Sequence, residues 1–204
     1  YELIEQKGIQ CTIMEPVRGG MLATLTPEAV DCFQQANPNV STASWAIRYA
    51  ASLPNVLTVL SGMTRMEHLQ DNIRTYAPLE ALTEEDFALL EDTAQRMLQF
   101  PTVPCTECQY CMPCPYGLNI PAIFAHYNRC VNEGNVPKDG RDENYARARR
   151  AFLVGYDRSV PRLRQASHCI GCGQCVSHCP QSIDIPGQLH RIDRFVEQLR
   201  SGTL

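Results

Sequence analysis

The sequence has no apolar run approaching the roughly 20 residues that a membrane-spanning helix needs, because polar residues and prolines interrupt every candidate, as in ASLPNVLTVLSG. Its start, YELIEQKGIQC, has neither the basic beginning nor the apolar middle of a signal peptide. The chain is therefore expected to be cytoplasmic, and its first residue, Tyr1 rather than Met, leads us to expect a piece of something longer. A basic excess is also lacking. Residues 1–100 carry 6 Lys and Arg against 13 Asp and Glu, net −7, and residues 101–204 carry 12 against 9, net +3. With so weak a positive balance and few aromatics in the right places, neither nucleic acid nor membrane is an expected partner. Complete disulfide pairing is excluded too, because the cysteine count, 11, is odd.

Composition otherwise suits a globular protein: 44% of residues are hydrophobic, and the chain is long enough for one large or two small domains. We expect a boundary where charge and cysteine content change, giving domains 1–100 and 101–204. In the first, GIQCTIMEP predicts a short buried strand over Ile9–Met14, ended by Pro16 and a flexible RGG at Arg18–Gly20. Thr26 as N-cap and Pro27 behind it start a helix. Trp45, Ile47, Ala50 and Ala51 lie at helical spacing in a second helix that stops before Pro54. The β-branched run NVLTVLSG predicts another strand. Two further helices follow, opened by capping boxes at Thr64 with Glu67 and at Thr83 with Asp86. Strand, helices, strand, helices is the order of parallel strands with covering helices. Two strands cannot close a barrel, so this half needs partners outside the chain.

Two of these segments resemble the C-terminal end of the aldo/keto reductases. GIQCTIMEPVRGGML is similar to that family's seventh strand and its loop, and VLTVLSGMTRMEHLQDN to its eighth strand and next helix. The resemblance implies the last two β/α units of a (β/α)8 barrel, incomplete here. It further implies that Gly62, Met63, Thr64, Arg65, His68, Asp71 and Asn72 correspond to the cofactor-binding positions that hold the adenosine 2'-phosphate and adenine of NADPH. The loop Glu15–Gly20 would then lie along the pyrophosphate. A helix N-terminus with an arginine suits a phosphate physically. The family's catalytic Asp, Tyr, Lys and His come from earlier strands with no counterpart here, and Tyr49 and Tyr76 lie in helix patterns. No catalytic residue is assigned. NADPH is expected only in a full-length parent.

The second half holds eight of the 11 cysteines in two clusters, CTECQYCMPCP (105–115) and CIGCGQCVSHCP (169–180). Clustered thiols in a reducing compartment point to metal rather than disulfides. The later cluster has the spacing C-x2-C-x2-C-x3-C-P of bacterial ferredoxins, whose 4Fe-4S clusters take three thiolates from one tight loop and a fourth from the distant cysteine of the other motif. The earlier cluster repeats it. Cys105, Cys108 and Cys111 align with Cys169, Cys172 and Cys175, and, after one missing residue, Cys114, Ile120 and Pro121 align with Cys179, Ile185 and Pro186. Each copy runs into a helix with proline at its first position. The alternative metal is zinc, which would leave the third cysteine of each cluster and both Cys-Pro steps unexplained.

The long polar stretch between the copies, with helices expected around Glu143–Leu153 and Pro161–Ser167, resembles the α-helical ferredoxins attached to fumarate reductases and the C-terminal extension of one branch of aldo/keto reductases. The resemblance implies a mostly-α dicluster domain with two 4Fe-4S clusters. Their metal ligands would be Cys105, Cys108, Cys111 and Cys179 for one, and Cys169, Cys172, Cys175 and Cys114 for the other. His168 and His178 are expected as outer donors or surface residues, and Cys11, Cys32 and Cys130 as core thiols. Arg147, Arg149 and Arg150 read as a solvated helix face, with docking of an acidic partner as the alternative. The expected function is electron transfer within an aldo/keto reductase-like oxidoreductase; the alternative is a structural iron-sulfur interaction module. The expected partner is an electron-transfer protein or the missing barrel half.

Overall fold

The computed structural model describes residues 1–98 and 101–204. The chain divides into two units, residues 1–99 and 100–204. The described residues are mostly helical, with one small sheet.

The first unit runs α1 (Glu2–Gln6), β1 (Cys11–Met14), α2 (Pro27–Ala36), α3 (Thr42–Ser52), β2 (Val56–Leu60), α4 (Met66–Tyr76) and α5 (Glu84–Met97). The strands pair in parallel, Thr12 with Thr58, Ile13 with Val59 and Met14 with Leu60, after an irregularity at Cys11. One face is half-buried at Ile13 and Val59, while Met14 and Leu60 are 74% and 50% exposed on the other, and Leu57 is 66% exposed. Parallel sheets are ordinarily covered on both faces. Among the described residues only two strands contribute, so each also has an open edge. The helices follow their caps. Thr26 and Ser41 accept N–H bonds from Ala29 and Ser44 at the starts of α2 and α3. Thr83 and Asp86 form the expected box on α5, at 3.2 and 3.0 Å.

The Thr64 and Glu67 box does not form. The cap of α4 is Arg65, in extended conformation and without a side-chain bond, so Thr64 stands one position too early to reach the third helical N–H. The RGG segment lies within two short 3-10 turns between Arg18 and Ala23, separated by a kink at Gly19 and Gly20, whose φ of 64° and 95° are non-helical. Phe33 of α2 stacks on Trp45 of α3 at 5.4 Å, and with Leu25, Ala29 and Leu82 they form this unit's core.

The second unit packs α6 (Ile120–Asn132), α7 (Tyr145–Ser159) and α8 (Ile185–Ser201). Its core shows the duplication. Buried Ile120, Phe124, Tyr127 and Val131 of α6 occupy the repeat positions of buried Ile185, Leu189, Ile192 and Val196 of α8. Asn119 and Asp184 cap these helices through the N–H groups of Ala122 and Gly187, and Pro121 and Pro186 take the second helical position, where a missing N–H is equally harmless. The second expected helix between the copies is instead two short 3-10 turns, Arg162–Arg164 and Ala166–His168.

Candidate metal centre

All 11 cysteines are free thiols. The two cysteine loops share a backbone. Glu107, Gln109 and Gly117 in the first have φ of 56°, 65° and 78°, and their repeat positions Gly171, Gly173 and Ser182 have 74°, 74° and 51°. Left-handed residues between right-handed ones turn successive N–H groups to one side, making a concavity that favours anions such as thiolate and sulfide. The second loop uses glycine at the two positions between its first three cysteines, where the conformation is free of Cβ strain. The first loop places Glu and Gln there, and each carries a cost of roughly 1–2 kcal/mol.

This backbone brings together thiols far apart in sequence. Cys105, Cys108 and Cys111 line one small pocket with Cys179, walled by Ile120, Phe124, Ile183 and Ile185. Burial raises the Cys105 thiol above its ordinary range, partly offset by a bond from the Glu107 backbone, and the charges of Glu107, Cys108 and Cys179 add to the rise. Burial likewise pushes Cys111 up to about 11, reinforced by Cys105, Cys175 and Cys108 and opposed by a backbone N–H. Burial raises Cys175, opposed by a backbone N–H and reinforced by Cys114, Cys169 and Cys172. The electrostatic neighbours of Cys105 and Cys175 therefore cross between the two motifs. Among the described residues no three His, Cys, Asp or Glu side chains converge tightly enough to hold a single ion. A cubane is larger than one ion and asks for thiols spread around a pocket. The donor set, apolar wall and N–H concavity fit an iron-sulfur group.

Several residues that position these loops carry no local sequence signal. Asn128 of α6 clamps the chain just before Cys105, its amide accepting from Val103 N–H at 2.8 Å and donating to Val103 C=O at 2.7 Å. Arg191 of α8 lies 4.6 Å over the Tyr127 ring and donates to the Tyr127 hydroxyl and to Pro101 C=O. His190 Nε2 lies 3.3 Å from the Cys169 carbonyl. His168 is exposed against the Arg162 carbonyl, and His178 is exposed. Cys130 is buried, whereas Cys11 and Cys32 are half-buried.

The basic run on α7 separates into two roles. Arg149 donates to the carbonyls of Leu199 and Arg200, satisfying the end of α8. Arg147, Arg150 and Arg158 line an open groove with Ala151, Val154 and Gly155.

In the first unit, Gly62, His68, Asp71 and Asn72 line a groove with Glu15, Pro16, Val17, Gly19 and Gly20. Met63, Thr64 and Arg65 are exposed and do not line it. Asp71 accepts from Ser41 at 2.5 Å and Asn72 donates to Ser61 at 3.0 Å, so both carboxylate and amide are already engaged.

Residues 1–95 match the model of the aldo/keto reductase family, and residues 104–183 match that of the 4Fe-4S dicluster domain. No curated protein and no solved structure matches the chain. Among the described residues no helix is long and apolar enough to cross a membrane.

Proposed function

We propose that this chain, an aldo/keto reductase segment followed by a 4Fe-4S dicluster segment, is the electron-transfer end of a larger oxidoreductase. Cys105, Cys108, Cys111 and Cys179 hold one cluster, and Cys169, Cys172, Cys175 and Cys114 hold the second. The observation that carries this reading is the pocket that gathers three thiols from one motif and the fourth from the other. When bound, a 4Fe-4S group supplies one-electron transfer at a potential set by its charge, hydrogen bonds and exposure. The chain's own residues hold it, keep water away with Ile120, Phe124, Ile183 and Ile185, and offer the N–H concavity of each loop to sulfur.

The first unit supplies the last two β/α units of a barrel. Its open sheet face and strand edges support a missing barrel half as its partner. In the assembled parent, the groove at Gly62, His68, Asp71 and Asn72 would take the phosphate-bearing end of NADPH, with Met63, Thr64 and Arg65 at its rim. An acidic electron-transfer protein is the partner that suits Arg147, Arg150 and Arg158. A structural role for the clusters draws support from Cys105, Cys111, Cys114, Cys169, Cys175 and Cys179, all packed against the core of the second unit.

Anaerobic purification followed by iron and sulfide analysis and EPR after dithionite tests the reading. About eight irons and matching sulfide per chain, with reducible signals, are expected for two four-iron clusters. Bound zinc without acid-labile sulfide would end it. Clusters present but never reducible would leave only the structural role.

A further inference from the structure

Four buried side-chain polar atoms among the described residues have no hydrogen-bond partner: Trp45 Nε1, Thr93 Oγ1, Thr106 Oγ1 and the Tyr145 hydroxyl. Thr106 is the one that lies in a cysteine loop. It follows Cys105, is 7% exposed, and lines the pocket formed by Cys105, Cys108, Cys111 and Cys179. A buried hydroxyl left unsatisfied costs about 1–3 kcal/mol, so such a group calls for an explanation. Here the surroundings offer one. The pocket's other lining residues carry thiols or hydrocarbon side chains, apart from Gln109 and Gln181. The acceptor that a bound group would bring to this place is sulfur.

The repeat makes the position distinctive. Thr106 aligns with Ile170, which is 62% exposed and has no donor to give. Whatever Thr106 does for the first site, the second does without.

Resting on the two-cluster reading above, we propose that the Thr106 hydroxyl donates a hydrogen bond to a sulfur of the cluster held by Cys105, Cys108, Cys111 and Cys179, and thereby raises its reduction potential. Reduction adds one electron and one negative charge to that site. A donor aimed at the charge stabilises the reduced form more than the oxidised one, since hydrogen bonds strengthen as the acceptor becomes more negative. Thr106 keeps its proton throughout, and no bond is made or broken. It is a positioning and tuning residue, not a ligand.

The test uses the full chain loaded with iron and sulfide. Thr106→Val keeps the shape and removes the donor. EPR-monitored potentiometry should show two reduction steps, one of which moves to lower potential in Thr106→Val by on the order of a tenfold change in the reduced-to-oxidised ratio, which is about 59 mV for one electron. The other step should stay, Thr106→Ser should restore the first, and one exchangeable-deuteron hyperfine signal should be lost with the valine while those of the backbone N–H groups stay. In the metal-free chain, Thr106→Val should be at least as stable as the parent, because the hydroxyl has no protein partner to lose. Two unmoved steps, failure of serine to restore, loss of a cluster from the valine variant, or a less stable metal-free variant would each overturn the proposal. A parent chain without sulfide would instead overturn the cluster reading itself.

Discussion

His126 is a buried imidazole held between α6 and α7. It is 2% exposed, its Nδ1 faces the Arg129 guanidinium at 3.2 Å, and its Nε2 lies 3.1 Å from the Phe152 carbonyl and 3.4 Å from the Cys130 sulfur. An arginine must donate and a carbonyl must accept, so the ring is neutral with its proton on Nε2. Burial, with Arg129 second, lowers its pKa to about 4, against the weaker opposing pull of the Phe152 carbonyl. The unfolded chain binds this proton near pH 6.5 and the folded chain does not. The contribution is therefore fully present above about pH 6.5 and is lost as pH falls toward 4, at about 1.4 kcal/mol per unit and on the order of 3 kcal/mol in all. Chemical unfolding of the metal-free second unit's signal in the full chain at pH 7.5 and 5 should show the loss, and His126→Gln should flatten the dependence.

Also at residue scale, Gly171→Ala forces a Cβ into φ of 74° and should cost about 1–2 kcal/mol in the loaded chain. Glu107→Gly at the repeat position removes the equivalent strain but adds unfolded-state freedom, so its effect should stay within about 1 kcal/mol. Denaturant midpoints on both variants check this; equal losses would mean that the loops are not equivalent. Cys114→Ser should remove the cluster held by Cys169, Cys172 and Cys175 and leave about four irons per chain, counted by iron analysis. Loss of the other cluster would reverse the crossed assignment.

At the scale of elements, the contact of α6 with α7 turns on Gly155. A Cβ there would meet His126 Cε1 at 2.7 Å. Alanine normally favours a helix interior over glycine by about 1 kcal/mol. Here Gly155→Ala should instead destabilise the second unit by about 1–3 kcal/mol, read by thermal unfolding, because the buried imidazole has to shift. Helix starts at Thr26, Thr83, Asn119 and Asp184 follow local chemistry, in which a short polar side chain reaches an N–H three residues on. The Thr64 cap fails because Arg65, extended by the exit from β2, sets the helix start one residue later. Gly155 and Asn128 had no signal of that kind, since each is explained by a partner 25 or more residues away.

At the scale of the whole molecule, the two units differ in self-sufficiency. The second buries a continuous core from Val103 to Leu199, against which six cluster cysteines pack. Removing iron with a strong chelator under denaturing-threshold conditions should therefore lower its unfolding midpoint, seen as loss of helical circular dichroism, while the first unit's Trp45 fluorescence stays. The first unit has a smaller core and, among the described residues, a sheet of two strands.

The sequence by itself determined the thiol spacing and most helix starts, because each depends on residues within a few positions of one another, and it showed the duplication and the parallel order of the two strands through the order in which such local patterns recur along the chain. Tertiary structure alone decided that Arg149 satisfies α8 while Arg147 and Arg150 do not, and that Thr106 is buried without a partner. Those facts depend on which distant segments are driven together when α6, α7 and α8 bury their apolar faces, and spacing along the chain does not encode them.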